Sequence, residues 1–221
     1  MCGIFGSKRF ATFERLYYKN RERGAFAHGF MYQKRNGSMY IRKNKGITSL
    51  TGEYAWNHQL QYDLFLGHTQ APTSAERDYS VELGHPFDDG NFIVAHNGVL
   101  ENHITLAEEH NLEPESLKVD TQIFTRLLND LYVGSDTLVI NEVCSKVKGL
   151  FSCWIHCKES KQTYIVRNGS TLFTDINKTS FSSIKFGDID QEISEGIIFC
   201  FTTEGLTEVG TFDSTSSFFI L

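Results

Sequence analysis

Apolar residues recur at helical spacing over Phe10 to Asn20, where Phe10, Phe13, Leu16 and Tyr17 fall on one face. Before them, Cys2 to Gly6 reads as a short strand. Phe30 to Lys34 and Ser38 to Arg42 flank Asn36-Gly37, the pair preferred where both turn residues take positive φ, and so predict a hairpin. Tyr62 to Gly67 and Asn91 to Ala95 are further strands, each running into polar residues, His68-Thr69-Gln70 and His96-Asn97-Gly98. Strand ends that feed polar loops are favourable places for chemistry. Helices are predicted over about Glu101 to His110, Thr121 to Tyr132 and Thr137 to Val147, with Asp120 and Asp136 as N-caps. From Leu150 onward the pattern is of strands: Leu150 to Cys157, Thr163 to Arg167, short ones near Leu172 and Ser182, and Ile197 to Thr203. Many strands with a few segregated helices predict an α+β layered domain rather than alternating βαβ units.

With 221 residues, 40% of them hydrophobic and 18 of them Phe, the chain can bury a substantial core. No Pro/Ser/Gly-rich linker divides it, so residues 1–221 are read as a single domain. The longest apolar runs, Gly196 to Phe201 and Phe218 to Leu221, are strand-sized, well short of the ~18–20 residues of a membrane span. The first residues place apolar positions before the positive charges, the wrong order for a signal peptide, and a soluble, cytoplasmic chain is expected. Charge is lopsided. The net value is -6, yet residues 1–50 hold 11 basic and 2 acidic side chains. Lys34, Arg35, Arg42 and Lys43 flank the hairpin turn, where exposed strand positions are commonly charged. No stacking or recognition motif accompanies them, so nucleic acid is not an expected partner.

Five cysteines, an odd number, argue for thiols rather than a disulfide framework. Cys153, His156 and Cys157 suggest a metal site, but on one strand the two sulfurs share a face about 13 Å apart while His156 points to the other. No metal or other cofactor is expected. Cys144 and Cys200 fall in apolar patterns and read as small core residues.

Cys2 is different. Removal of Met1, normally permitted by a small second residue, leaves a cysteine with both a thiol and an α-amine whose pKa of ~7.7–8.0 lets it accept the thiol proton and return it to a leaving amine. Acyl transfer by a thiolate builds an oxyanion, and a side-chain amide beside a glycine N–H supplies two donors for it. Asn97 and Gly98 fit that role; they fit a plain Asn-Gly turn as well.

Together, Met-Cys-Gly-Ile-Phe-Gly, Arg23-Gly24 with His28-Gly29, Gly67-His68-Thr69-Gln70-Ala71-Pro72-Thr73, His85-Pro86-Phe87, Ala95-His96-Asn97-Gly98-Val99-Leu100-Glu101-Asn102 and Val119-Asp120-Thr121 resemble the glutaminase domain of class II glutamine amidotransferases. Gly149-Leu150-Phe151-Ser152 and Arg167-Asn168-Gly169 extend the resemblance. It implies a four-layer αββα Ntn-hydrolase sandwich of antiparallel sheets. Cys2 would be the nucleophile, with Asn97 and Gly98 as the oxyanion hole. Asp120 would grip the substrate α-ammonium, a role that competes with N-capping unless different oxygens serve each. Thr73 and His85 would shape the substrate loop, Arg23 would lie near the thiol, and His68 would make a structural hydrogen bond.

Two departures matter. The family's loop reads His-Thr-Arg where this chain has His68-Thr69-Gln70, and that arginine pairs with the substrate α-carboxylate; the neutral Gln70 weakens the contact unless Arg77 compensates. The sequence also ends soon after a glutaminase-sized region, so ammonia would go to a separate synthase subunit, to a lost domain, or to no acceptor at all. The expected activity is hydrolysis of glutamine or a related γ-amide through a γ-glutamyl thioester. The alternative is a catalytically weakened domain that serves as a binding or regulatory module.

Overall fold

In a computed structural model of the chain, residues 2–50, 62–71, 80–113 and 118–214 are described. The chain runs β1 (Gly3–Ser7), α1 (Phe10–Asn20), β2 (Ala27–Lys34), β3 (Met39–Lys45) and β4 (Tyr62–Gln70). Next come β5 (Phe87–Asp89), β6 (Phe92–Leu100), α2 (His103–Glu109), α3 (Asp120–Asp130) and α4 (Asp136–Lys146). Then follow β7 (Gly149–Cys157), β8 (Thr163–Asn168), β9 (Phe173–Thr174), β10 (Ser180–Ser182), β11 (Gln191–Glu192), β12 (Ile197–Thr202) and β13 (Gly205–Thr211). These elements form two compact units, residues 1–86 with 172–192 and residues 87–171 with 193–221.

The first unit is a sheet of order β11-β9-β10-β1-β4-β2-β3 with antiparallel neighbours. Helix α1 lays Phe13, Leu16 and Tyr17 on Phe5, Phe30, Tyr32 and Phe65 of that sheet, as its apolar face predicts, while Phe10 is only partly buried at the edge of the cluster. The hairpin between β2 and β3 forms as expected, but its turn differs. Only Gly37 takes positive φ (84°), and Lys34 N–H closes onto Ser38 O at 2.8 Å, so the loop is a longer one ending in a left-handed glycine rather than a two-residue turn.

The second unit is a sheet of order β13-β12-β8-β7-β6-β5, also antiparallel. Helices α3 and α4 cover it with Ile123, Phe124, Leu127, Val139, Ile140 and Val143 against Val94, Phe151, Ile155 and Val166. Cys144, Cys153, Cys157 and Cys200 belong to this core, and no disulfide links the described cysteines. Each unit is thus a helical layer on an antiparallel sheet, in the α+β class expected.

Several boundaries move. Val119 and Ser135 occupy the N-cap positions, so Asp120 and Asp136 are the first helical residues instead, where a carboxylate still complements the helix dipole. Asp136 is buried because Ser160 and Tyr164 donate their hydroxyls to it, at 2.5 and 2.9 Å. The polar segments expected to leave β4 and β6 as loops stay in the strands: His68, Thr69 and Gln70 pair with Gly29, His28 and Ala27, and Asn97 and Gly98 with Ser152 and Phe151. Among the described residues no helix is long and apolar enough to cross a membrane.

Candidate active site

In the first unit the site begins at the mouth of β1. Gly3 registers with Thr69 of β4, which brings Cys2 and Gln70 to the same end of the strand pair. Cys2 is half-buried, and the Arg23 guanidinium donates to its carbonyl oxygen at 3.4 Å. Burial lowers the pKa of Arg23 from its ordinary value, and interaction with Cys2 works in the opposite direction.

Gln70 closes β4, its carbonyl accepting from Phe26 N–H at 3.0 Å. Its side chain is 4% exposed and makes no hydrogen bond among the described residues. The His85 ring stacks on His68, centroids 4.0 Å apart and planes 25° from parallel. Gly29 admits the His85 carbonyl, since a Cβ on Gly29 would lie 1.8 Å from that oxygen. His28 is a hydrogen-bonded core residue: Nδ1–H donates to Gly46 O at 2.7 Å, so Nε2 accepts from the Thr48 hydroxyl at 3.0 Å. Burial holds its pKa below the ordinary value. Thr73 and Arg77, expected to shape the loop and to bind the substrate carboxylate, lie outside the described residues.

In the second unit Asn97 sits inside β6, almost wholly buried, with Nδ2 donating to Ser170 Oγ at 2.9 Å. Gly98 follows at φ +145, and a Cβ there would stand 1.8 Å from Leu150 O, so both conformation and space demand glycine. The Asn-Gly turn is therefore not formed. Asp120 is already engaged: Oδ1 accepts from Thr121 N–H at 2.8 Å and Oδ2 from Leu100 N–H at 3.1 Å, with His96 Nε2 3.6 Å from Oδ2. Each carboxylate oxygen accepts two hydrogen bonds, so this leaves capacity for a further donor.

Sequence reasoning missed the surroundings of Asn97. Ser170 lies 73 residues away in sequence, and Arg167, which holds the segment carrying Ser170, was noted only for its place in the motif. No local spacing links them; only the β6–β7–β8 pairing does. Among the described residues no three His, Cys, Asp or Glu side chains converge to hold a metal ion.

No protein-family model matches the chain. It is 27% identical over 193 residues to a glutamine-fructose-6-phosphate aminotransferase (isomerizing) of Aquifex aeolicus, covering 80% of this chain and 31% of that one. The same-named enzyme of Zymomonas mobilis is 27% identical over 229 residues, covering 93% of this chain and 36% of the relative. The chain thus spans about a third of the length of these relatives. Among solved structures, the glutamine phosphoribosylpyrophosphate amidotransferase of B. subtilis superposes with a TM-score of 0.72 at 18% identity, covering 95% of this chain and 49% of that one. A glutamine aminotransferase class-II domain protein of Silicibacter pomeroyi gives 0.56 at 11% identity, covering 96% of this chain and 100% of that one. Sequence relatives and fold alike make the chain similar to class II glutamine amidotransferase domains.

Proposed function

We propose that the chain hydrolyses the side-chain amide of glutamine or a related γ-amide, with Cys2 as nucleophile after loss of Met1. The α-amine of Cys2 takes the thiol proton, the sulfur attacks the amide carbon, and the oxyanion accepts from Asn97 Nδ2 and Gly98 N–H. As the C–N bond breaks, the amine returns the proton to the departing ammonia, leaving a γ-glutamyl thioester. Water then hydrolyses the thioester to the acid and restores the thiol. Asp120 binds the substrate ammonium and Arg23 favours the thiolate. Ammonia passes to an acceptor made by a separate subunit or by further protein sequence, and the cytosol suits a chain with reduced thiols.

The observation that carries this reading is the contrast among cysteines: Cys2 is half-buried beside Arg23, whereas the other four lie in a hydrophobic core. Intact-protein mass spectrometry after exposure to 6-diazo-5-oxo-norleucine tests it. One adduct, on a chain lacking Met1 and absent from Cys2→Ala, is expected. In kinetics, Asn97→Ala should lower kcat by ~10²–10³. No adduct and no glutaminase activity would overturn the reading.

One observation favours a second reading, a binding module with weakened catalysis. The buried, uncharged Gln70 offers an amide where a free α-carboxylate calls for a cation.

A further inference from the structure

The glutaminase reading requires an Asn97 amide that presents N–H to the oxyanion, and nothing within its own strand fixes that orientation. The torsion about the terminal bond of an asparagine is broad and two-fold, so an unheld amide presents its oxygen as readily as its nitrogen. We propose that Ser170 is the positioning residue that holds the Asn97 amide for catalysis, and that Arg167 in turn holds Ser170.

The Ser170 hydroxyl takes one of the two Asn97 N–H groups at 2.9 Å, fixing the amide plane and leaving the second N–H for the oxyanion. Ser170 lies just beyond β8, yet its backbone is clamped from several directions. The buried Arg167 guanidinium donates Nε–H to Ser170 O at 2.5 Å and Nη1–H to Ile193 O at 2.5 Å, and Nη2 pairs with Glu195 at 3.0 Å. Asn168 donates to Gly149 O at 2.8 Å, and Ser170 N–H returns to Asn168 O at 2.8 Å. Gly169 bridges to Phe151 beside them. Burying a cation to tie one short segment to residues 193–195 is costly. It becomes intelligible when the segment delivers a hydroxyl whose position matters.

Ser152 strengthens the case. It lies opposite Asn97 on β7, so the two side chains share one face with Cβ atoms ~4.5–5.5 Å apart. Its hydroxyl is wholly buried and finds no hydrogen-bond partner among the described residues. Asn97 therefore turns to Ser170 although a second hydroxyl lies beside it, which marks Ser170 as the group that sets the amide.

This inference rests on the glutaminase reading, and the kinetics separate the two. On glutamine, Ser170→Ala should lower kcat about tenfold, the worth of one neutral hydrogen bond, with KM and Tm close to wild type. Ser170→Thr, which keeps the hydroxyl, should restore most of the rate. The double variant Ser170→Ala/Asn97→Ala should be no slower than Asn97→Ala alone, because Ser170 acts only through that amide. Should Ser170→Ala fail to fold, Ser170→Cys, similar in size but a poor acceptor, carries the same test. Wild-type kcat in Ser170→Ala, or losses that multiply in the double variant, would overturn the inference while leaving the glutaminase reading intact. A wild-type chain inert toward glutamine and unlabelled by 6-diazo-5-oxo-norleucine would overturn both.

Discussion

The two units solve the same packing problem with different side chains. Among the described residues, the first builds its core from rings around helix α1: Phe13 stands 5.3 Å from Phe5 and from Phe30, centroid to centroid, and 5.7 Å from Tyr32 and from Phe65. The second packs mostly aliphatic residues of α3 and α4, with Phe124 among them, on its sheet, and thiols share that core. The comparison also sorts the cysteines. In the second unit burial raises the pKa of Cys144 and Cys153 and keeps them protonated. In the first, Cys2 sits beside a guanidinium at a strand mouth. The same residue type is core filler in one unit and half-buried beside a cation in the other.

The largest effect expected from this contrast is in thiol reactivity. Iodoacetamide should modify Cys2 at least ~10³-fold faster than the four core cysteines, which react only through opening of a stable fold. Peptide mapping over time reads this directly, and comparable rates at Cys144 and Cys2 would break the comparison. Next is stability. Phe13→Ala removes the hub of the ring cluster and should cost ~3–5 kcal/mol in urea unfolding, against ~0.5–1.5 kcal/mol for Ile140→Val in the aliphatic core. A Phe13→Ala loss no larger than that of Ile140→Val would show the rings to be dispensable.

Smaller still is the effect at Gln70. Replacing it with Arg should lower KM for glutamine by about tenfold, the difference between a neutral and a charge-assisted contact, and should leave a carboxyl-amidated analogue unaffected or worse. An unchanged KM would mean that a cation elsewhere already serves the carboxylate. The smallest effect concerns pH. His28 is held neutral with its pKa below 6.5, so the unfolded chain binds the proton first. Its contribution to stability should be complete above about pH 6.5 and should fall as pH drops below that value. Replacing His28 with Gln should flatten the dependence of Tm on pH over the mildly acidic range. An unaltered slope would assign the acid sensitivity to other groups.

Much of the second unit is legible in the sequence, because Ile123, Phe124, Leu127 and Leu128, and then Val139, Ile140, Val143 and Cys144, recur at helical spacing: the predicted Thr121 to Tyr132 and Thr137 to Val147 each start one residue from the observed helices. The caps differ from the expected ones by that same single residue, since Asp is as favourable in a helix's first turn as just before it. The short edge strands Phe87–Asp89 and Gln191–Glu192 left no readable pattern, and neither did the exposed Gly205–Thr211, because strands so short or so polar owe their form to their neighbours.

The α+β class, the apolar faces, the separation of Cys2 from the core cysteines and the motif residues Asn97, Gly98 and Asp120 are all legible in the order of amino acids. Those follow from periodicity and residue chemistry, which are local. It takes the folded chain to make Asn97-Gly98 strand rather than turn, to engage both Asp120 oxygens with backbone N–H groups, and to bring Ser170, pinned by Arg167, to the Asn97 amide. Those depend on strand register and on contacts between residues far apart in the chain, and neither leaves a trace in local spacing.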